Sequence, residues 1–572
     1  MCKLLVLLAA LFFSVSLFGT DFSSLPELLN NDLLRKQQEQ IDYQRRQVLQ
    51  KRELKKETIE QQKRSHHRLK SKDKKLCFMI KKINVNGASL MAKHVQQKIS
   101  FAYINSCMTM DDINELLRQL NDWYFTQGYI TTRIYLPQQD LSKASLTIEV
   151  VEGYIEAIDF TDTEKNNHLS LFGAMPVAAG ALLNVRDLEQ GLEQLNRLSS
   201  NNIQLQFVPG DQPGATKILL DNEIEKKWRI DLSLNNYGQA STGEEQLALF
   251  FDRDSPLADN GYFYLSYQTS LKQFQDDDQS SENLALHYDV PYGYWNFYLD
   301  ASWSDYLTTT KGITQYLEFK GKSDQQRLSL ARMIHRDQQN KWRLNFSLLR
   351  KNNKNYVQDN FIKVNSRVLS IGEIQLNFWH YFKNYGLLST AIAYQQGLKL
   401  FDALHDKHSS VDFPKAQFKK IIFSGNYQNA FNIQQHDWYW LSSLRAQYSD
   451  DLLYGSERLS LGSQYSIRAY KNQGISGDKG AYWRNEFTTK LPSSWLSSLA
   501  GEVHFKTGFD IGSVLYQTVD KYKWQLLQGW FIGARWQSKH LNMGLMFSQP
   551  IAKPHWLKAD GSALYLDVSL NY

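Results

Sequence analysis

From about Lys226 to the last residue, apolar and polar side chains alternate one for one. "WRIDLSLNNY" sets Trp228, Ile230, Leu232 and Leu234 on one side and Arg229, Asp231, Ser233 and Asn235 on the other, and "NLALHYDVPYGYWNFYLDASW" repeats the pattern twice around a Pro-Tyr-Gly turn. A period of two belongs to strands with one greasy and one wet face. In a soluble sandwich the greasy face buries against a second sheet and the loops stay short. Here that face is rich in Trp, Tyr and Phe, the other carries charges and amides, and long polar loops such as "TSLKQFQDDDQSSE" alternate with tight turns. Aromatic girdles around a polar interior describe a transmembrane β-barrel, and residues 227–572 suffice for about 16 antiparallel strands.

Upstream the pattern changes twice. Residues 76–152 predict a compact β-α-α-β-β module. "FMIKKINV" reads as a strand and "SLMAKHVQQKIS" as a helix. "TMDDINELLRQLNDWYFTQG" reads as a second helix, opened by Thr109 and Asp112 as a capping box and closed by Gly128, with Ile113, Leu116, Leu117, Leu120 and Tyr124 on one face. "YITTRIYLP" and "SLTIEVVEG" complete it as strands. Residues 153–226 repeat the order with "YIEAIDF", a helical stretch near His168 to Phe172, "NVRDLEQGLEQLNRL" capped by Asn184, then "IQLQFVP" and "TKILLDN". Two copies of one small α+β unit stand in tandem ahead of the barrel.

The first 75 residues are of three kinds. Residues 1–20 hold Lys3 and the run "LLVLLAALFFSVSLF", the charged start and short apolar core of a secretory signal peptide. The small-residue rule places cleavage after Ser16, whereas the polar mature sequence begins near Thr20 or Asp21. Residues 21–47 predict a helix, with Ser24 and Pro26 at its start and only a thin stripe of Leu28, Leu29, Leu33, Leu34 and Ile41 on a polar rod. Such a helix suits a wet cavity better than an oily core. Residues 48–75 form a basic linker: between Arg35 and Lys75 about 15 Lys and Arg face about 6 Asp and Glu, an excess that accounts for the chain's net charge of +6. An exported chain rarely meets nucleic acid, so this run reads as a solvated tether. With Cys2 lost in the signal, Cys77 and Cys107 remain as an even pair in an oxidising compartment, where a structural disulfide is the default.

Together, "GYITTRIYLPQQDLS", "LTIEVVEGYIEAI", "NVRDLEQGLEQLNRL" with "VPG", "SIRAY" followed by "GAYWRNEF", and "TGFDIG" make the mature chain resemble the TpsB outer-membrane transporters of two-partner secretion. The resemblance implies that the two modules are POTRA domains in the periplasm, that residues 21–47 plug the barrel, and that the loop carrying Arg468 is the sixth outer one. In the family it resembles, that loop folds back into the lumen to meet an aspartate, and the same is expected here. The family's loop motif is commonly Val-Arg-Gly followed by Tyr or Phe. This chain reads Ile467, Arg468, Ala469, Tyr470, so alanine restricts the backbone where glycine is usual. The chain's own periodicity selects the aspartate. In "EVHFKTGFDIG", Val503, Phe505, Phe509 and Ile511 form the lipid-facing set, so Asp510 points inward between the inward Gly508 and Gly512, which leave room for another backbone. Lys506, about 13 Å along the strand from Asp510, is too far to be its partner.

Function follows as an expectation: a Gram-negative outer-membrane pore that captures a large, unfolded exported partner and passes it to the surface, with no enzymatic activity and no cofactor. The partner is left open among a hemolysin, an adhesin and a contact-dependent toxin. An outer-membrane assembly factor of the same superfamily is the alternative, disfavoured by two modules and a plug segment. The last strand "ALYLDVSLNY" sets Leu564, Leu566, Val568, Leu570 and Tyr572 toward lipid, and its aromatic end resembles the signal read by barrel-assembly machinery. The resemblance further implies a monomer with no nucleic-acid partner. No Gly-x-Ser-x-Gly, His-Glu-x-x-His or phosphate loop occurs. His405 with His408, and His66 with His67, read as solvated, and "DRDSPLADNG" lacks calcium-loop spacing, so no metal is expected.

Overall fold

The computed structural model describes residues 32–53, 77–162, 170–274, 278–312, 315–406, 413–492, 501–517, 522–558 and 561–572. The signal peptide 1–20, the first part of the plug segment and most of the basic linker lie outside the described residues. Within them, sixteen antiparallel strands from Trp228–Asn235 to Ala563–Asn571 close into a barrel. The first and last strands pair from Asn235 with Asp567 to Asp231 with Asn571. A two-residue strand, Asn360–Phe361, extends one outer hairpin. Closure leaves no unpaired edge in the bilayer, where an unsatisfied backbone group would be costly. The alternation sorts as the period demands: Leu232, Leu234, Phe297, Trp303, Leu328, Phe346 and Ile374 are exposed outward, while Asp252, His287, Asp300, Asn353 and Asp510 are buried inside.

The first α+β module differs in detail from its sequence reading. "FMIKKINV" is split. Cys77–Ile80 pairs with a strand the pattern did not signal, Ser106–Thr109, and Lys82–Asn86 pairs in parallel with Ser145–Val151. Lys81 donates its N–H to Ala144 O at the break. Of "YITTRIYLP" only Arg133–Tyr135 is strand. The helix Met110–Thr126 has its capping box, Thr109 and Asp112 bonding reciprocally, and buries Ile113, Leu116, Leu120 and Tyr124; Leu117 is half-buried. A disulfide joins Cys77 and Cys107.

In the second module Tyr154–Phe160, Ala215–Ile224 and Asn201–Pro209 form one sheet, covered by the helix Val185–Asn196 through Leu188, Leu192 and Leu195. Asn184 caps that helix onto the N–H of Arg186. Its other face is docked on the inner rim of the barrel. Gln190 and Gln194 donate to Gly293 O at 3.2 and 3.0 Å, Glu193 pairs with Lys341 at 2.8 Å and with Arg336, and Asp187 accepts from the Tyr294 hydroxyl. Both faces of one helix are therefore used, which is why so many of its polar side chains are buried.

The N-terminal helix, Asp32–Glu53, lies within the barrel and runs six residues beyond Gln47. Its polar face finds polar partners all round, as a lumen supplies and a hydrocarbon core does not. Gln38 donates to Ser323 Oγ at 2.7 Å, Arg45 Nε to Asp300 Oδ1 at 2.8 Å, Lys36 to Gln239 Oε1 at 2.8 Å, and Arg35 to Ser460 Oγ at 3.3 Å.

Candidate functional site: the Arg468 loop and the barrel wall

The segment between the strands His436–Tyr448 and Gly480–Lys490 folds back into the lumen. A short ladder, Leu459–Leu461 against Ile475–Gly477, closes its base. Glu457, fully buried, lies between Lys351 and Lys420, each 2.8 Å away on the barrel wall. Beyond the ladder the chain turns tightly. Gly462 at φ +106° is held by the Ser466 hydroxyl, and Ile467 O accepts from the Tyr470 N–H. Ile467, Ala469 and Tyr470 then pack with Leu459, Leu461, Val514 and Leu527 in an apolar cluster inside an otherwise polar lumen.

That cluster aims Arg468. Its Nε lies 2.8 Å from Asp510 Oδ2 and its Nη2 2.7 Å from Asp510 Oδ1, a two-pronged contact that fixes orientation as well as charge. The backbone N–H of Arg468 also donates to Asp510 Oδ2 at 3.0 Å. Both side chains are almost wholly out of solvent, at 3 and 2% exposed. A second carboxylate completes the pocket: Nη1 meets Glu486 Oε2 at 2.8 Å, and Lys506 takes the other oxygen of Glu486 at 2.9 Å. The guanidinium carbon sits 3.7 Å from the centre of the Phe531 ring. On the loop's far side Arg468 O accepts from the Tyr565 hydroxyl at 2.8 Å and the Ser548 hydroxyl at 3.1 Å. Tyr470 places its hydroxyl 2.6 Å from Ala552 O.

Two glycine readings change. At Gly508 a Cβ would meet Asn485 O of the neighbouring strand at 1.9 Å and Phe531 Cε1 at 2.4 Å, and at Gly512 the Tyr482 and Leu461 side chains, so neither gap receives the loop backbone. The close approach to the loop backbone occurs instead at Gly529, where a Cβ would come within 2.2 Å of Ala469 Cβ. Residue 469 is not among the left-handed positions, so alanine fits without strain and its methyl takes the place that Gly529 vacates. Sequence reasoning missed Glu486, Phe531 and Tyr565. Glu486 lies in the quoted "GAYWRNEF", on the inward side of its strand opposite Gly508, and that register could have found it. At the other end of the barrel, Leu570 and Tyr572 are exposed outward with Val568 half-buried, and Lys226 Nζ lies 3.5 Å over the Trp228 ring and 3.7 Å over that of Tyr572.

A closed sixteen-stranded barrel, tandem α+β modules of which the second docks on its inner rim, a helix in its lumen and an arginine loop seated on a wall aspartate describe an outer-membrane barrel with a periplasmic receptor region. The haemolysin secretion/activation family ShlB/FhaC/HecB matches residues 214–536, a ShlB-type POTRA domain matches 78–153, and a further POTRA domain matches 154–209. The chain is 32% identical over 500 residues to the outer membrane transporter CdiB of Dickeya dadantii, covering 87% of each, and 28% identical over 458 residues to the hemolysin transporter ShlB of Serratia marcescens, covering 80% of this chain and 79% of that one. The solved structure of CdiB from Escherichia coli superimposes with a TM-score of 0.82 at 28% identity, covering 97% of this chain and all of that one. The chain belongs to the ShlB/FhaC/HecB family and is an outer-membrane transporter of two-partner secretion, with its POTRA domains in the periplasm.

Proposed function

We propose that this transporter exports one large partner protein, with the helix Asp32–Glu53 as its resting plug and the Arg468–Asp510 contact as the lock of the sixth outer loop. The observation that carries the reading is the helix inside the lumen, bonded to the adjacent wall strands Trp295–Lys311 and Tyr316–Arg336 through Arg45 and Gln38, to Gln239 through Lys36, and to Ser460 of the inward loop through Arg35. A plug held by exchangeable polar bonds can leave and be replaced by an unfolded chain, which offers the same wall equivalent backbone partners. The partner is captured in the periplasm by strand addition. The strands Lys82–Asn86 and Arg133–Tyr135 edge one POTRA sheet, and Tyr154–Phe160 and Asn201–Pro209 edge the other. Folding of the partner outside withdraws it from the inner pool and drives transport by mass action. The protein works as a monomer, delivered by barrel-assembly machinery that reads the strand ending in Leu570 and Tyr572.

The plug is tested by deleting residues 21–47 and measuring single-channel conductance in planar bilayers alongside secretion of the partner protein. Conductance should rise while secretion continues. Unchanged conductance would remove the helix from its role as plug.

A further inference from the structure

A chain of buried charges that the loop lock does not use runs from the second POTRA domain into the lumen. Arg197, the C-cap of the helix Val185–Asn196, pairs with Asp289 and donates through Nη2 to Asn260 O at 2.7 Å. One residue-pair away on the same strand, His287 presents Nε2 to Asp289 Oδ2 at 2.9 Å and Nδ1 to Asp300 Oδ1 at 2.7 Å. Asp300 in turn holds Arg45 of the plug at 2.8 Å. The order of groups is therefore cation, carboxylate, imidazole, carboxylate, cation, and its two ends stand on the second POTRA domain and on the lumen helix.

The setting favours transmission over solvation. The His287 side chain is fully buried and that of Asp289 nearly so. Tyr264 is stacked on the imidazole with ring centroids 5.0 Å apart, and Tyr262 and Tyr298 flank it. With water excluded, a carboxylate that loses one cation must lean harder on its remaining partner, because an unpaired buried charge is costly. Imidazole suits the middle position, since when doubly protonated it donates in two nearly opposite directions from a rigid ring, which no amide or ammonium does. The corner that carries Arg197 is also tied to the wall by the Ser200 N–H, 2.8 Å from Asp254 Oδ2, so a displacement of that corner is felt at the wall.

We propose that Arg197, Asp289, His287, Asp300 and Arg45 form an ionic relay through which the second POTRA domain holds the plug, with His287 as its positioning residue. Displacement of the Arg197 corner by an arriving extended chain redistributes the carboxylate contacts and loosens Arg45. The relay rests on the reading of Asp32–Glu53 as a plug and adds to it the route by which periplasmic docking reaches the lumen.

The test uses the full-length protein in planar bilayers and reads the frequency of plug-out openings. Arg197→Ala, at the POTRA end of the relay, should raise it by about tenfold, the size of coupling that charges sharing one network reach. Arg197→Lys should restore it, since that end of the relay needs only a cation. Arg45→Ala and Arg197→Ala combined should open little more often than either alone, and in a His287→Leu background Arg197→Ala should add nothing. Lys341→Met cuts a different tie between this POTRA domain and the rim, to Glu193, and should leave the frequency unchanged. Independent, multiplying effects of Arg45→Ala and Arg197→Ala would overturn the relay, as would an equal rise in Lys341→Met, which would mean general loosening of the domain. If His287→Leu fails to assemble as a heat-modifiable barrel, the pair Arg45→Ala and Arg197→Ala decides alone. Deletion of 21–47 is run beside these: no rise there defeats the plug, whereas a rise there with a silent Arg197→Ala defeats the relay only.

Discussion

Arg468 meets two carboxylates with one guanidinium, and the three single substitutions at that triad should not be equivalent. Arg468→Ala leaves Asp510 buried without its cation, and breaking such a pair from one side costs about 3–5 kcal/mol. Asp510→Ala leaves Arg468 with Glu486, while Glu486→Gln keeps the two-pronged contact with Asp510 and neutralises only the carboxylate that Arg468 shares with Lys506. Secretion of the partner, measured at equal amounts of barrel in the outer membrane, should therefore fall most for Arg468→Ala, nearly as far for Asp510→Ala, and least for Glu486→Gln. The Arg468→Ala and Asp510→Ala double variant should be little worse than Arg468→Ala, because both remove one interaction. Wild-type secretion in both of those singles would make Arg468 a mere loop charge. Steric fit gives a companion result: Gly529→Val should mimic Arg468→Ala by driving Ala469 off the wall, since even a Cβ has no room there.

Among elements, the first POTRA domain carries two local devices with separable effects. The Thr109 capping box satisfies N–H groups at the start of Met110–Thr126, so Thr109→Ala should lower that domain's stability by about 1 kcal/mol. The Cys77–Cys107 disulfide spans 30 residues of sequence, and loops of that size gain about 3 kcal/mol from closure. Reduction should hence accelerate amide exchange in Cys77–Ile80 and Ser106–Thr109, the two-stranded sheet it staples, and leave Ser145–Val151 protected. Equal acceleration in both sheets would show that the small sheet is not an independent unit. The lumen helix Asp32–Glu53, proposed as the plug, is a further element whose removal has the conductance outcome already given.

For the whole molecule, the proposed assembly signal lies on the strands that close the barrel. Tyr572 is 73% exposed on the outer face, its ring 5.7 Å from that of Trp228 on the first strand, with Lys226 above both. Tyr572→Asp puts a carboxylate at the seam and removes the aromatic end, and should reduce the heat-modifiable barrel recovered from outer membranes. Normal recovery would show that the C-terminal strand does not direct assembly. Lys226→Ala, which keeps the last strand intact, should alter recovery far less.

What the sequence determined by itself was everything governed by local period and by one-dimensional order. A period of two with aromatics on one face and charges on the other leaves a barrel as the arrangement that satisfies both lipid and backbone. The repeated helix and strand order marked two tandem α+β units, the polar rod ahead of them required a wet enclosure, and alternation in "EVHFKTGFDIG" turned Asp510 inward. Tertiary structure alone decided what crosses between strands far apart in the chain. That Glu486 shares Arg468 depends on the register placing it opposite Gly508, and that Gly529 receives Ala469 depends on how deeply the loop descends. The split of "FMIKKINV" came from Ser106–Thr109, a partner too short to show a period. His287 shows the limit most clearly: it is one inward polar residue among many, and only barrel closure, the docking of Arg197 and the insertion of Arg45 place charged partners on both sides of its ring. Such contacts depend on distances in space that no local spacing records.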